Sequence, residues 1–250
     1  MKLLFDVGNS NISIAIIDKN DDFIFTSRII TNTNITTDEL HFQIKNILDK
    51  NYNLIDKVLI SSVVPNVTAL LLKISTRFFK IKAFLIEPGV KTGINLKIDN
   101  PKEVGADLIC ALAAISSTRP TVVVDLGTAS KYLYIDNKNF LGAIIAPGIA
   151  LSKKALVNGT AFLPDFDLSV PKHVLGTNTI TCMQSGITFG SSVTIDGLIN
   201  LIEDEIQKKV DVILTGGLAK IVEPLLKRKV SRDPLLVFKG LNNIYLLNNK

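Results

Sequence analysis

Two stretches nearly half the chain apart read as the same construction. Residues 3–17, LLFDVGNSNISIAII, and residues 122–135, VVVDLGTASKYLYI, each run an apolar strand into Asp-x-Gly. Each then passes through small polar residues and resumes as an alternating strand, the pattern of a β-hairpin. The repetition predicts two similar halves, each opening on a hairpin whose turn carries an aspartate. An ordinary hairpin closes with two residues such as Asn-Gly. These bends hold more polar groups than closure requires, and the excess asks for a ligand.

The intervening sequence alternates. Residues 37–50 read as a helix with Leu40, Ile44, Ile47 and Leu48 on one face and Thr37 or Asp38 as its cap. KVLISSVVP (57–65) reads as a buried strand entering a turn, ALLLKISTRFF (69–79) as helix and AFLIEP (83–88) as a short strand. PKEVGADLICALAAIS (101–116) reads as a helix entered through a proline and an acidic first turn. In the second half, 185–209 is helical, DVILTGG (211–217) is a strand ending in glycines, and LAKIVEPLLK (218–227) is a further helix. Strands alternating with helices give the α/β class, with mixed sheets because each half starts with a hairpin. The expected division is 1–117 and 118–250.

Composition removes several function classes. The 250 residues are 47% hydrophobic and 20% charged, which is globular rather than disordered. Aromatic residues make up 6% with no Trp, so Ile, Leu and Val must build the core. The net charge of +5 is scattered, unlike the dense basic face of a nucleic-acid binder. LLKRKVSR (225–232) reads as a solvated helix end and loop. His41 and His173 are too few for a His-based metal centre or a Ser/His triad. Cys110 and Cys182, in apolar or small-residue surroundings, are expected to be buried free thiols in a reducing compartment. The apolar run before Asp6 is only three residues, Leu3 to Phe5, fewer than a signal peptide needs, and the apolar stretch 58–72 is interrupted by Ser, Asn and Pro. The expectation is a soluble cytoplasmic protein with neither membrane nor nucleic acid as partner.

The aspartate turns suggest a chemistry. A bend rich in Gly, Asn, Ser and Thr presents backbone N–H groups that suit phosphate oxygens. Glycine there permits positive φ and close approach to a ligand. A carboxylate cannot bind phosphate directly, but it can act through Mg²⁺, which keeps several waters and takes one or two carboxylates. Two such turns could close on one triphosphate. ILTGGLA (213–219) adds Gly216 and Gly217 at a strand–helix junction, where an adenine or ribose can lie against the backbone. Each motif alone also has a plain structural reading: an Asx turn for either aspartate, a common connection for the glycines, and a dipole-favoured carboxylate for Asp107 at its helix start.

Taken together and in order, the motifs are more specific. The chain resembles the type III pantothenate kinases, of the acetate/sugar kinase, Hsp70 and actin superfamily. The resemblance rests on DVGNSN (6–11), SSVVP (61–65), NPKEVGAD (100–107), DLGTA (125–129), GAIIAPGIALSKKAL (142–156) with LP (163–164), GTNTITCMQSGI (176–187) and TGGLA (215–219). It implies two actin/Hsp70-like (ribonuclease H-like) halves with mixed sheets flanked by helices, and an ATP and acceptor site in the cleft between them. It also implies phosphorylation of pantothenate by ATP, the first step of coenzyme A biosynthesis. By motif, Asp6, Val7, Gly8, Asn9, Ser10, Asn11, Ile12 and Ser13 would cradle the phosphates, with Asp6 holding Mg²⁺ through them. Thr128 would contact ATP, and Asp125 would help bind a monovalent cation, K⁺ or NH₄⁺. Asp107, following Gly105 and Ala106, would be the catalytic base, and Thr179 would contact pantothenate. A homodimer is implied, with the substrate site near the subunit interface.

Three positions depart from the family's pattern. Leu108 follows Gly-Ala-Asp where an Arg is usual, and Ile98 stands in NLKIDNP where a Tyr is usual. Ser130 and Lys131 follow Asp-x-Gly-Thr-Ala where two small hydroxyl or aliphatic residues are usual. Pantothenate is a carboxylate, and a hydrogen bond to a charged group is worth roughly 1.5–3 kcal/mol. These changes leave open weaker pantothenate binding, another small alcohol as acceptor, or a non-catalytic or regulatory homologue that binds nucleotide. Lys131 is expected either to replace the missing positive charge, to displace the monovalent cation, or simply to point to solvent from a strand.

Overall fold

The computed structural model describes residues 1–249. The chain divides into two compact units: residues 1–94, 99–116 and the segment from 236 onward, and residues 95–98 with 117–235.

In the first unit, strands β1 (Lys2–Val7), β2 (Asn11–Ile17), β3 (Phe23–Ile30), β4 (Lys57–Ser62) and β5 (Phe84–Leu85) form one sheet in the order β3-β2-β1-β4-β5. The β1–β2 and β2–β3 pairs are antiparallel, while β1–β4 and β4–β5 are parallel. β1 lies mid-sheet with both faces covered, so it reads KLLFDV with Leu3, Leu4, Phe5 and Val7 buried. β3 is an edge strand whose residues alternate between exposed and half-buried.

Helices α1 (Thr37–Leu48) and α2 (Pro65–Ile74) place Leu40, Ile44, Leu48, Val67 and Leu71 in one apolar core with Phe5, Ile14 and Ile60. The cap of α1 is Thr36, ahead of both predicted positions, Thr37 and Asp38. Its hydroxyl accepts from Glu39 N, and Glu39 in turn accepts from Thr36 N, a capping box. That exchange holds the Glu39 carboxyl below its ordinary pKa. α2 begins at Pro65, where a residue without an N–H is tolerated.

The predicted helix over 101–116 is two pieces. A 3₁₀ turn, Pro101–Glu103, is followed by extended backbone at Val104 and Gly105, and α3 (Ala106–Ala113) starts only after it. This break puts Asp107 in the first turn of a new helix.

The second unit repeats the topology. Strands β6 (Asn95–Leu96), β7 (Thr121–Leu126), β8 (Ala129–Asp136), β9 (Asn139–Pro147), β10 (Asp211–Thr215) and β11 (Ser231–Arg232) run in the order β11-β10-β7-β8-β9-β6. Reading β7 as the counterpart of β1, both sheets share one order and one pattern of parallel and antiparallel pairs. The two similar halves expected from the hairpin echo are therefore present, with β6 an extra edge strand. β11 lies in the stretch read as loop. Helices α4 (Ile149–Asn158), α5 (Thr179–Ile206) and α6 (Ala219–Val222) belong to this unit, and its core joins Val122, Val124 and Leu214 to Ile195, Ile199 and Val222. α6 is shorter than predicted because Pro224 ends regular helix in a 3₁₀ turn.

The last helix, α7 (Leu236–Asn248), belongs to the first unit, so 236 onward departs from a simple division at 117/118. Its Gly240 lies against the Cys110 carbonyl of α3, so closely that a Cβ has no room. Asn243 Nδ2 donates to Ala113 O at 3.2 Å.

Candidate functional site

The predicted residues fall into two constellations, one in each unit. In the first unit, Gly8 N donates to Asn11 O at 2.9 Å, closing the β1–β2 hairpin on Asn9 and Ser10, which are exposed. Thr31, just beyond β3, buttresses the bend: its Oγ1 donates to Gly8 O at 2.7 Å and its N to Ser10 O at 3.0 Å. Val7 and Ile12 are a buried cross-strand pair, so they offer a ligand backbone only. Gly8 and Gly127 do not adopt the positive φ expected of glycine in such bends. A Cβ on either would make only ordinary contacts within the chain. Nothing within the chain therefore demands glycine at either bend.

Asp6 faces Ser13 on β2 and Ser61 on β4 by register, and Ser61 Oγ donates to Asp6 Oδ1 at 3.4 Å. A carboxylate flanked by two hydroxyls offers the hard oxygen donors that Mg²⁺ prefers. Cys110, midway along α3 and fully buried, shares a hydrogen bond with Ser61. Burial pushes the Cys110 thiol far up; a hydrogen bond with Ser61 opposes this, while the charges of Asp6 and Asp107 add to it. Asp6 and Asp107, distant in sequence, thus bear on the same thiol. Gly105 explains part of the placement of Asp107, since a Cβ there would stand 2.5 Å from Asp107 Oδ1. Ala106 and Leu108 flank Asp107 and are half-buried. Ser61 lies in the SSVVP motif, and what marks it as a site residue is its register opposite Asp6.

In the second unit, Gly127 N donates to Ala129 O at 3.2 Å, and Thr128 is exposed at the bend. Gly148, ahead of α4, backs this turn, and a Cβ there would collide with the carbonyls of Gly127 and Thr128. Gly216 has φ +91° and its α-carbon faces the Leu126 backbone, so a Cβ would come within 2.5 Å. Only glycine meets both demands. The TGG signature therefore does pack beside the Asp125 turn, with Gly217 exposed next to it.

Lys131, the β8 residue opposite Asp125, does not point to solvent: its Nζ lies 2.9 Å from Asp125 Oδ2. Thr179 is the first residue of α5 and exposed, after an Asn178 cap that accepts from Thr181 N at 2.9 Å. Further along α5, Gly186, Gly190 and Thr194 recur every fourth residue, hence on one face. With Ser130, Tyr132 and Ser152 they line a cavity of about 320 Å³ that the sequence reading did not find.

Other predicted features resolve differently. Cys182 is exposed, while Cys110 is buried as expected. In the basic stretch, Arg228 turns back onto α5, meeting Asp196 at 3.2 Å and Glu203 at 3.6 Å. Burial alone would raise the Glu203 pKa, but hydrogen bonds from Lys209 and Val210 N, with the Arg228 charge, hold it below the usual value. Among the described residues no helix is long and apolar enough to cross a membrane, and no cluster of three or more His, Cys, Asp or Glu could hold a metal alone.

A family model for type III pantothenate kinase matches residues 2–201. A type III pantothenate kinase of Acholeplasma laidlawii is 43% identical over 250 residues, covering 100% of both chains. One of Exiguobacterium sp. is 39% identical over 256 residues, again covering 100% of both. Among solved structures, a conserved protein of Campylobacter jejuni described within the Baf family of transcriptional activators covers 99% of this chain and 98% of its own. It superposes with a TM-score of 0.64 at 24% identity. A protein of Sinorhizobium meliloti described as a 2-dehydro-3-deoxygalactonokinase shares the fold as well, with a TM-score of 0.60 at 11% identity, covering 99% of this chain and 96% of its own.

Proposed function

The chain belongs to the type III pantothenate kinase family, and from that premise we propose that it transfers the γ-phosphoryl group of ATP to the primary hydroxyl of pantothenate, the step that opens coenzyme A synthesis. Asp107 is assigned as the base. As the new oxygen–phosphorus bond forms, the hydroxyl proton passes to its carboxylate and the bond to ADP breaks. Phosphoryl transfer has a loose transition state, so alignment and charge stabilisation do most of the work. The backbone of Gly8 to Asn11 and of Gly127 to Thr128 is assigned to the phosphates, and the Gly216–Gly217 junction to the nucleoside. What supports the site is geometry: Ser61 Oγ donates to Asp6 Oδ1 at 3.4 Å, and the bare Gly105 leaves room for the Asp107 carboxylate in the first turn of α3.

Mg²⁺ fits Asp6, whose register neighbours are the hydroxyls of Ser13 and Ser61; it would neutralise charge on the phosphates when bound. A monovalent cation does not fit Asp125 in the same way, because the Lys131 ammonium is already 2.9 Å from that carboxylate. We carry over Thr179 as a pantothenate contact and the homodimer as part of the same proposal. Val193 and Leu201, exposed on α5, supply apolar surface for a second copy.

One observation favours a second reading. Leu108, half-buried beside Asp107, offers no charge to the pantothenate carboxylate, so nucleotide binding without turnover is the rival. ATP consumption by the purified protein separates the two. The kinase reading expects pantothenate-dependent ADP release that falls about 10²- to 10⁴-fold in Asp107→Asn. ATP binding with no turnover on pantothenate would instead support the rival.

A further inference from the structure

The two hairpins differ at one matched place. Directly across from Asp6 stands Ser13, whereas directly across from Asp125 stands Lys131. Residues opposed on antiparallel strands point to the same face and are close enough to pair. Lys131 Nζ and Asp125 Oδ2 lie 2.9 Å apart, and each side chain is only 16% exposed. That distance is a charge-assisted hydrogen bond, and its partial burial keeps salt from screening it.

An ammonium held this way has the charge and N–H donors of NH₄⁺. It also leaves no second cation room beside the same carboxylate without like-charge repulsion. We infer that Lys131 is a built-in substitute for the dissolved monovalent cation, so that phosphoryl transfer by this chain proceeds without added K⁺ or NH₄⁺. The inference rests on the kinase reading above. Lys131 acts as a positioning residue: it neutralises Asp125 at the base of the Gly127–Thr128 bend. Deleting its ammonium leaves a half-buried carboxylate that a free cation can then occupy.

The test compares wild type with Lys131→Ser, which restores the small hydroxyl found at Ser13. Initial rates are measured with ATP, Mg²⁺ and pantothenate in tetramethylammonium salt, then with KCl or NH₄Cl at equal ionic strength. Melting curves without substrates are recorded in the same salts. The expected result is a wild-type rate that barely changes. The variant should lose about tenfold in kcat without KCl and recover with K⁺ or NH₄⁺. Its melting temperature, unlike that of wild type, should rise with these ions.

A wild-type enzyme that needs K⁺ would overturn the inference while leaving the kinase reading intact. So would a variant whose deficit is confined to the KM for pantothenate and is not rescued by cations. If neither protein turns over in any salt, the kinase reading fails on its own, and melting decides the cation question. A K⁺-dependent rise in the variant alone upholds the substitution, and any other melting pattern refutes it.

Discussion

At the scale of single residues, the site depends on what is missing as much as on what is present. Gly105 has φ −60°, so alanine could adopt its backbone without strain, yet a Cβ would press on the Asp107 carboxylate at 2.5 Å. The easiest relief is for the short Asp107 side chain to turn away. Gly105→Ala is therefore expected to lower kcat about ten- to a hundredfold through misplacement of the base. Its cost in stability should be about 1 kcal/mol or less, the usual loss on placing Ala at a helix N-cap. Steady-state kinetics beside a urea melt would check this, and an unchanged kcat would mean that the position of Asp107 does not matter. A lone sequence reveals a residue only where the signal for it is local. Asp6, Asp107 and Asp125 are legible because their motifs are local. The pairing of Lys131 with Asp125 is not, because a cross-strand partner is set by register, and only β7 against β8 fixes it.

At the scale of elements, the α1 face carries a titratable contact. His41 stacks on Phe78 with ring centroids 3.6 Å apart, and its Nε2 shares a 2.7 Å hydrogen bond with the Tyr52 hydroxyl. Burial lowers the imidazole pKa from 6.5, the nearby Lys45 and Arg77 charges lower it further, and Asp38 opposes them. Because the folded value is the lower one, the unfolded chain binds the proton more readily. The stabilisation is then present above about pH 6.5 and is lost as pH falls through the depressed folded value. Urea midpoints should drop between about pH 7.5 and about pH 5.5, and His41→Phe should flatten that part of the curve. An equal drop in wild type and variant would assign the dependence to other groups. Existence and type of the long elements were readable from periodicity, while their ends were not. The 101–116 segment broke at Gly105 and the α1 cap moved to Thr36, since side-chain capping and packing, rather than propensity, set those boundaries.

At the scale of the whole molecule, the chain does not fold as two consecutive halves. The hairpin echo was enough to foresee two sheets of one topology, because each begins with its own local signal. It could not foresee that α7 returns to the first unit, since no motif marks which apolar helix covers which sheet. That return has an energetic consequence. α7 buries Leu236, Phe238, Leu241 and Ile244, and its Asn242 Oδ1 accepts from Lys2 Nζ of β1 at 2.8 Å. At about 1.5–3 kcal/mol for each apolar side chain, those four contribute about 6–12 kcal/mol. That rivals the ~5–15 kcal/mol by which a whole domain is stable. A chain ending at Leu235 retains all three aspartates, yet it should fail to fold its first unit. Hydrogen exchange is then expected to show β1, β4 and α3 unprotected while β7, β8 and β10 remain protected, and kinase turnover should vanish. Protection of β1 and β4 in the shortened chain would show that the first unit stands without its last helix. Gly240→Val probes the same contact more gently. Its side chain must displace the Cys110 carbonyl of α3, an overpacking cost of about 1–3 kcal/mol, and because α3 carries Asp107, kcat should fall along with the urea midpoint.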